Sequence, residues 1–122
     1  GAARAIAVVI PEMKGKLDGL AIRVPTPNVS LVDFVTTLSR ATTRNEINDK
    51  IREYAKGAMR GILACSEEEL VSCDFNGNRH SSIVDMPNTS VIGGNMVKIL
   101  SWYDNEWGFS NRMLELLSFI MK

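Results

Sequence analysis

The first third of the chain passes from a helical to an extended pattern of apolar residues. Apolar side chains recur every three or four positions over residues 1–13, which predicts a short, half-buried helix ending near Pro11. Residues 17–24 are mostly apolar and lead into PTPN at residues 25–28, so we predict a strand followed by a rigid turn. Residues 29–40 alternate between apolar and polar positions, which predicts a second, half-buried strand.

The middle of the chain carries clear start and stop signals. Thr43 and Glu46 have the spacing of a capping box, and Gly57 supplies a C-terminal stop, so a helix is predicted between them. Between residues 61 and 103, short apolar pieces separated by turn residues predict several antiparallel strands. Asn76-Gly77 within that stretch is a hairpin signal.

The chain closes on an amphipathic pattern. Apolar residues at helical spacing form a stripe that consists of Met113, Leu116, Leu117, Ile120 and Met121. Asp104 and Asn105 precede this stripe and can cap a helix, so a last helix is predicted. Runs of strands with segregated helices predict an α+β fold, with a largely antiparallel or mixed sheet and helices on one face.

The composition fits a folded domain without a strong overall field. The chain has 122 residues, of which 45% are hydrophobic, and this suffices for a core. Its 14 basic and 14 acidic residues balance, so neither nucleic acid nor a membrane surface is an expected partner. The apolar runs fall short of the roughly 20 residues of a membrane span. The chain begins as if within a domain, which favours a fragment of a longer protein.

Residues that bind metals or act as nucleophiles are scarce. Cys65 and Cys73 lack metal-binding spacing and His80 is the single histidine, so no metal site is expected. We interpret both cysteines as ordinary thiols, because a nucleophile needs an activating base beside it. No P-loop, dinucleotide-binding glycine motif or hydrolase serine motif occurs. We therefore assign no catalytic residue.

Arg23 is a candidate anion-binding residue, because it lies in an apolar segment beside a double-proline turn. One interpretation is structural, with the guanidinium paired to Asp18 or Asp33 across a sheet. The other is functional. A guanidinium at a strand end offers two donors to phosphate oxygens, and free backbone amides at Gly1 and Ala2, where the first helix starts, would add more.

Aromatic and amide side chains crowd the junction before the last helix. In one interpretation Trp102, Trp107 and Phe109 fill a core or a subunit contact, and Asn105 only caps the helix. In the other, the Asn105 amide, which is both donor and acceptor, binds a carboxamide ligand. Tyr103 or Phe109 would then form a wall of the pocket.

Five segments are distinctive in their order and spacing. They are GAARA at residues 1–5, IPEMKGKL at 10–17, RVPTPNVS at 23–30, VSCDFNG at 71–77 and WYDNEWG at 102–108. Together they resemble the glyceraldehyde-3-phosphate dehydrogenase family, and the resemblance covers nearly the whole chain.

The resemblance implies a cytoplasmic, usually tetrameric enzyme of glycolysis. Such an enzyme oxidises glyceraldehyde 3-phosphate through a cysteine thiohemiacetal, consumes inorganic phosphate and reduces NAD or NADP. The nucleophilic cysteine, its activating histidine and the cofactor-binding half belong to motifs that do not occur here, so this chain alone is not expected to be active. Residues 1–104 would be part of the catalytic domain, and residues 105–122 a helix that packs on the cofactor domain.

The resemblance also implies roles for individual residues. Arg23 would hold the substrate and the attacking phosphate, and the backbone N–H of Gly1 would help to bind inorganic phosphate. Asn105 would bond the nicotinamide carboxamide, with Tyr103 and Phe109 nearby. Phe109 stands where the family most often has tyrosine, and erythrose-4-phosphate dehydrogenases share this feature. Such an enzyme, or a non-catalytic assembly module, is an alternative.

Overall fold

The computed structural model describes the backbone of residues 2–122 and the side chains from residue 5 onward. Within that part of the chain the helices are α1 (Ala2–Val9), α2 (Arg44–Lys56) and α3 (Trp107–Ile120). The strands are β1 (Ser30–Thr37), β2 (Leu63–Ser66), β3 (Ser82–Asp85), β4 (Ser90–Ile92) and β5 (Met96–Tyr103). Short 3-10 helices cover Pro11–Met13, Ser72–Phe75 and Met86–Asn88.

Strand β5 is the centre of a mixed sheet. On one edge it pairs antiparallel with all of β1, from Ser30 opposite Tyr103 to Thr37 opposite Met96. On its other edge it pairs antiparallel with β3 and β4. β2 then joins β3 in parallel, which gives the order β1-β5-β3-β2. The predicted α+β class and mixed sheet are confirmed.

The hairpin predicted at Asn76-Gly77 is wrong. An Asn-Gly turn reverses the chain between antiparallel strands, but the strands that flank this stretch, β2 and β3, are parallel. Parallel strands need a crossover, and this one contains the 3-10 helix Ser72–Phe75. Gly77 follows that helix with a φ of 74°, a value that suits glycine.

The strand predicted at residues 17–24 is also wrong. The segment is irregular, and Leu20, Ile22 and Val24 are largely exposed. A strand needs a neighbour for its backbone N–H and C=O groups, and no described strand pairs with this one. An apolar pattern alone therefore does not make this segment extended.

Helix α1 ends at Val9, just before Pro11, as predicted. Its expected burial is not observed, because Val8 and Val9 are exposed. The neighbour it contacts is the 3-10 helix Pro11–Met13. Among the described positions, α1 therefore adds little to the core.

The capping signals of α2 are confirmed. Thr43 Oγ1 accepts a hydrogen bond from the Glu46 N–H at 3.2 Å, and the Thr43 N–H donates to Glu46 Oε2 at 2.7 Å. The pKa of Glu46 is lowered by this backbone hydrogen bond from Thr43 most of all, and then by the hydroxyl groups of Thr43 and Thr42. At the other end, the Gly57 N–H donates to the carbonyls of Glu53 and Tyr54.

One buried cluster of the core packs against Trp102, near the end of β5. Val29, Phe75 and Ile83 are buried together. The Trp102 ring stacks on Phe75 with centroids 5.4 Å apart, and its Nε1 donates to Asp85 Oδ2 at 3.2 Å. Trp102 therefore packs against the core, as the structural interpretation expected for it, whereas Trp107 and Phe109 are more than half exposed.

Helix α3 forms as predicted, but most of its apolar side chains are more than half exposed. The exposed members include Met113, Leu114, Leu116, Leu117, Phe119, Ile120 and Met121. None of the described helices combines the length and apolar character that crossing a bilayer requires.

Thr43→Ala should destabilise the protein, because it leaves the Glu46 N–H of α2 without its cap. We expect a loss of about 1 kcal/mol in the free energy of unfolding, measured by urea denaturation. Ser39→Ala is the matched control, since Ser39 is exposed and makes no side-chain hydrogen bond to the described residues. An equal effect of the two substitutions would contradict the role of the cap.

Candidate functional site

Three separate segments meet at the carboxylate of Asp104. Its Oδ1 accepts hydrogen bonds from the backbone N–H groups of Glu106 at 3.0 Å and Trp107 at 2.9 Å. Its Oδ2 accepts from the Gly77 N–H at 2.9 Å and from Asn28 Nδ2 at 3.1 Å. We call this set of five residues the Asp104 junction. It joins three of the segments that carry the family resemblance.

The Asp104 carboxylate is buried, and N–H groups of the protein take the place of water as its hydrogen-bond donors. The residue is 3% exposed. Burial by itself raises the pKa of Asp104, but hydrogen bonds from Trp107, Gly77, Glu106 and Asn28 together hold the pKa below its usual value. The group is therefore an anion at neutral pH, and all four donors serve the charged form.

A strained residue lies next to the junction. Val29 has a φ of 69°, in the left-handed region that a β-branched residue rarely adopts. Such a conformation costs on the order of 1–3 kcal/mol and persists only where its surroundings fix it. Here Asn28 is bonded to Asp104 on one side, and the Val29 side chain is buried against Phe75 and Ile83. The chain direction between Asn28 and β1 is thus closely determined.

The turn that carries Asn105 is held from both ends. Tyr103 ends β5 opposite Ser30, and the first turn of α3 lies close to the chain at His80. A Cβ atom on Gly108 would come within 3.2 Å of the His80 carbonyl oxygen, so glycine permits this approach. The position of Asn105 is therefore set by the fold, although its side chain is exposed.

The Asn105 amide is available to a ligand. It makes no hydrogen bond to any residue from position 5 onward, and Asp104 caps α3 in its place. The capping part of the structural interpretation therefore applies to Asp104 and not to Asn105. Tyr103 is half-buried, whereas Phe109 is 65% exposed and contributes an apolar surface.

Arg23 is exposed and pairs with neither of the acidic residues that the structural interpretation proposed. Asp33 is bonded to Lys98 at 2.9 Å, and Asp18 accepts the Gly19 N–H at 2.8 Å. No side-chain hydrogen bond or ion pair joins Arg23 to residues 5–122. The structural interpretation is therefore wrong, and so is the strand end on which Arg23 was expected. Gly1, the other predicted phosphate-binding residue, lies outside the described residues.

The thiols and the histidine show no catalytic arrangement. Cys65 and Cys73 are both free, and burial, followed by the charge of Glu67, raises the pKa of the Cys65 thiol. His80 Nδ1 lies 2.8 Å from Asn78 Oδ1. Burial is the main cause that lowers the pKa of His80, so the ring is neutral at pH 7. Among the described residues no cluster suits a metal ion.

Two open clefts lie elsewhere on the described surface. One, of about 640 Å³, includes Arg60, Arg79 and His80, and the other, of about 490 Å³, runs along α3 near Glu115. Neither is lined by Arg23 or by the predicted cofactor-binding residues. Arg23, Asn105 and Phe109 are exposed, so these candidate residues are presented on the described surface.

Sequence reasoning missed the junction itself. Asp104 was predicted to cap the last helix, which is right for Oδ1, but nothing local indicated that Oδ2 binds Gly77 and Asn28. A signal was present in retrospect. Asn28 and Gly77 each lie in one of the distinctive segments, and both are residue types typical of turns.

Comparison with known proteins identifies the family of the chain. The family described as "Glyceraldehyde 3-phosphate dehydrogenase, C-terminal domain" matches residues 1–105. The chain is 55% identical over 122 residues to glyceraldehyde-3-phosphate dehydrogenase 1 of Bacillus subtilis, and 54% identical over 120 residues to the enzyme of Geobacillus stearothermophilus. These matches cover 100% and 98% of the chain and 36% of each relative.

The fold and the matched residues define an α+β domain that spans about one third of the length of these relatives. The chain belongs to the glyceraldehyde-3-phosphate dehydrogenase C-terminal domain family.

Asp104→Asn should destabilise the protein at neutral pH but not in acid. The lowered pKa means that the carboxylate contributes stability above its unfolded-state pKa of about 3.8, and that this contribution is lost as the pH falls through the lower folded-state value. We expect a difference of about 2 kcal/mol at pH 7, from urea unfolding of both proteins, shrinking below about pH 4. A difference that stays constant down to about pH 3 would contradict an anionic junction.

Proposed function

We propose that this chain supplies the phosphate-binding and nicotinamide-binding contacts of a phosphorylating glyceraldehyde-3-phosphate dehydrogenase. The observation that carries the proposal is the Asp104 junction. In a chain of this family, it brings Asn28, at the end of the Arg23 segment (residues 23–28), and the turn at Asn105 to one carboxylate. The nucleophile and its base lie in other parts of such an enzyme. Neither Cys65 nor Cys73 takes that role.

Arg23 is suited to bind a phosphoryl group. A guanidinium is a cation that offers paired donors, and these match two phosphate oxygens. Because no described acidic side chain neutralises it, the full charge is available to an anion. The backbone N–H of Gly1 is proposed as a second donor to inorganic phosphate.

Asn105 is suited to bind a carboxamide. Its exposed side chain holds a donor and an acceptor that are not used by the described residues, which complements the acceptor and donor of a nicotinamide amide. Tyr103 and Phe109 add aromatic surface beside it. The bound cofactor would accept hydride from the substrate, while this chain orients the nicotinamide ring.

Further features of the proposal concern the complete enzyme. Residues 1–104 are assigned to the catalytic domain, and residues 105–122 to a helix that packs on the cofactor domain. The exposed apolar side chains of α3 support that assignment, because an apolar surface of this extent marks a contact. A homotetramer that uses glyceraldehyde 3-phosphate and inorganic phosphate is proposed from family membership.

A hybrid enzyme provides the test. In it, residues 1–122 replace the matching 36% of the Bacillus subtilis relative. We expect this hybrid enzyme to reduce NAD in a reaction that needs both glyceraldehyde 3-phosphate and inorganic phosphate. A folded hybrid tetramer without that activity would favour the non-catalytic assembly module instead.

Arg23→Leu in the hybrid enzyme should raise the KM for inorganic phosphate by about tenfold or more, since charge-assisted hydrogen bonds are worth about 1.5–3 kcal/mol. The measurement is initial rate against phosphate concentration. Arg40→Leu is the matched control, because Arg40 is also exposed and makes no side-chain hydrogen bond to the described residues. An unchanged phosphate KM in Arg23→Leu would remove the phosphate assignment.

Asn105→Ala should raise the KM for NAD about three- to tenfold, with the KM for phosphate nearly constant, because a neutral hydrogen bond contributes about 1 kcal/mol. Asn45→Ala provides the comparison, as Asn45 is exposed on α2 without a side-chain hydrogen bond to the described residues. If Asn105→Ala and Asn45→Ala gave the same NAD dependence, the carboxamide contact would be wrong.

A further inference from the structure

The two oxygens of Asp104 serve different segments. Oδ1 receives the Glu106 and Trp107 N–H groups, which is the arrangement that starts α3. Oδ2 receives the Gly77 N–H and Asn28 Nδ2, which belong to distant parts of the chain. A residue that only capped α3 would need one of these oxygens. The second oxygen therefore requires a separate explanation.

Each segment at the junction leads to a residue of the proposed site. Asn28 ends the PTPN turn, whose two prolines restrict the backbone between it and Arg23. On the other side, Asn105 follows Asp104 directly. The carboxylate is thus bonded to the turn that follows the proposed phosphate-binding residue, and it directly precedes the proposed nicotinamide-binding residue in the chain.

The strained backbone at Val29 indicates that the direction of the chain between Asn28 and β1 is tightly constrained. A residue with a φ of 69° reverts to an ordinary conformation unless its neighbours hold it. Asn28 is the polar neighbour that does so, through bonds to Asp104 Oδ2 and to Asn76 Oδ1, each 3.1 Å long. Without the hydrogen bonds of Asn28, residues 23–28 would be free to approach β1 from another direction.

We propose that Asp104 is a positioning residue that fixes the Arg23 segment and the Asn105 turn relative to each other. The inference rests on the proposed function of those two residues. Its specific content is that the phosphate side and the nicotinamide side of the site are coupled through Asp104 Oδ2 and Asn28.

The hybrid enzyme allows the coupling to be measured. Asp104→Asn keeps an oxygen that can cap α3 but places an NH2 group against the donors of Gly77 and Asn28. We expect it to raise the KM values for both phosphate and NAD by about five- to tenfold, since the lost bonds are to a charged acceptor. Asn28→Ala, a milder change, should raise the KM for NAD as well, although Asn28 lies on the phosphate side.

Two control variants separate positioning from general stability. Asp85 is also 3% exposed and accepts hydrogen bonds from Asn88 and from Trp102 Nε1, but it contacts neither Asn28 nor the Asn105 turn. Asp85→Asn should lower the Tm about as much as Asp104→Asn and leave both KM values within about twofold. Asn76→Ala removes only the second partner of Asn28 and should have the smaller effect on the KM for NAD.

A double-mutant cycle decides whether the two residues act as one unit. If they do, Asn28→Ala combined with Asp104→Asn raises each KM little more than Asp104→Asn alone. The inference is overturned if the two effects multiply, or if Asp104→Asn lowers the Tm while both KM values stay constant. Failure of the proposed function looks different, because then Arg23→Leu and Asn105→Ala themselves leave the KM values unchanged.

Discussion

The structure around the site depends on one buried carboxylate. Asp104 lies where β5 ends and α3 begins, and its four hydrogen bonds come from both its own turn and two distant segments. A buried anion with so many donors is costly to disturb, because four partly buried hydrogen bonds to one charged acceptor would be lost together. The strained conformation of Val29 and the start of α3 are consequently parts of one arrangement.

Local signals were enough to predict the elements whose hydrogen bonds are local. The helix α2 begins at Thr43 and ends at Gly57 because both caps involve residues within a few positions. Residues 17–24 show the opposite case. Their apolar pattern fits a strand, but a strand is stabilised by a partner, and the sheet that forms around β5 offers them none among the described residues.

The candidate site also combines features that the sequence predicts with features that only the fold reveals. Arg23 and Asn105 were identified from residue type and from the family resemblance, and the structure leaves both side chains exposed and without described partners. That they belong to two segments held by one carboxylate was not predictable, because the contact joins Asn28 to a residue far along the chain. Sequence indicated the donors for the ligands, whereas the fold determines how those donors are arranged.

The distribution of apolar surface explains why the site is presented openly. The residues buried most completely, such as Val97 in β5 and Met86 directly after β3, belong to the sheet and its connections, while α3 and residues 17–24 keep large apolar side chains exposed. Both exposed regions adjoin the Asp104 junction, one following Trp107 and the other preceding Asn28. The junction can therefore keep its geometry through its own hydrogen bonds while the flanking surfaces are covered by other parts of an assembly. The exposed guanidinium of Arg23 stays solvated until an anion binds. Its charge therefore incurs no burial cost in the chain itself.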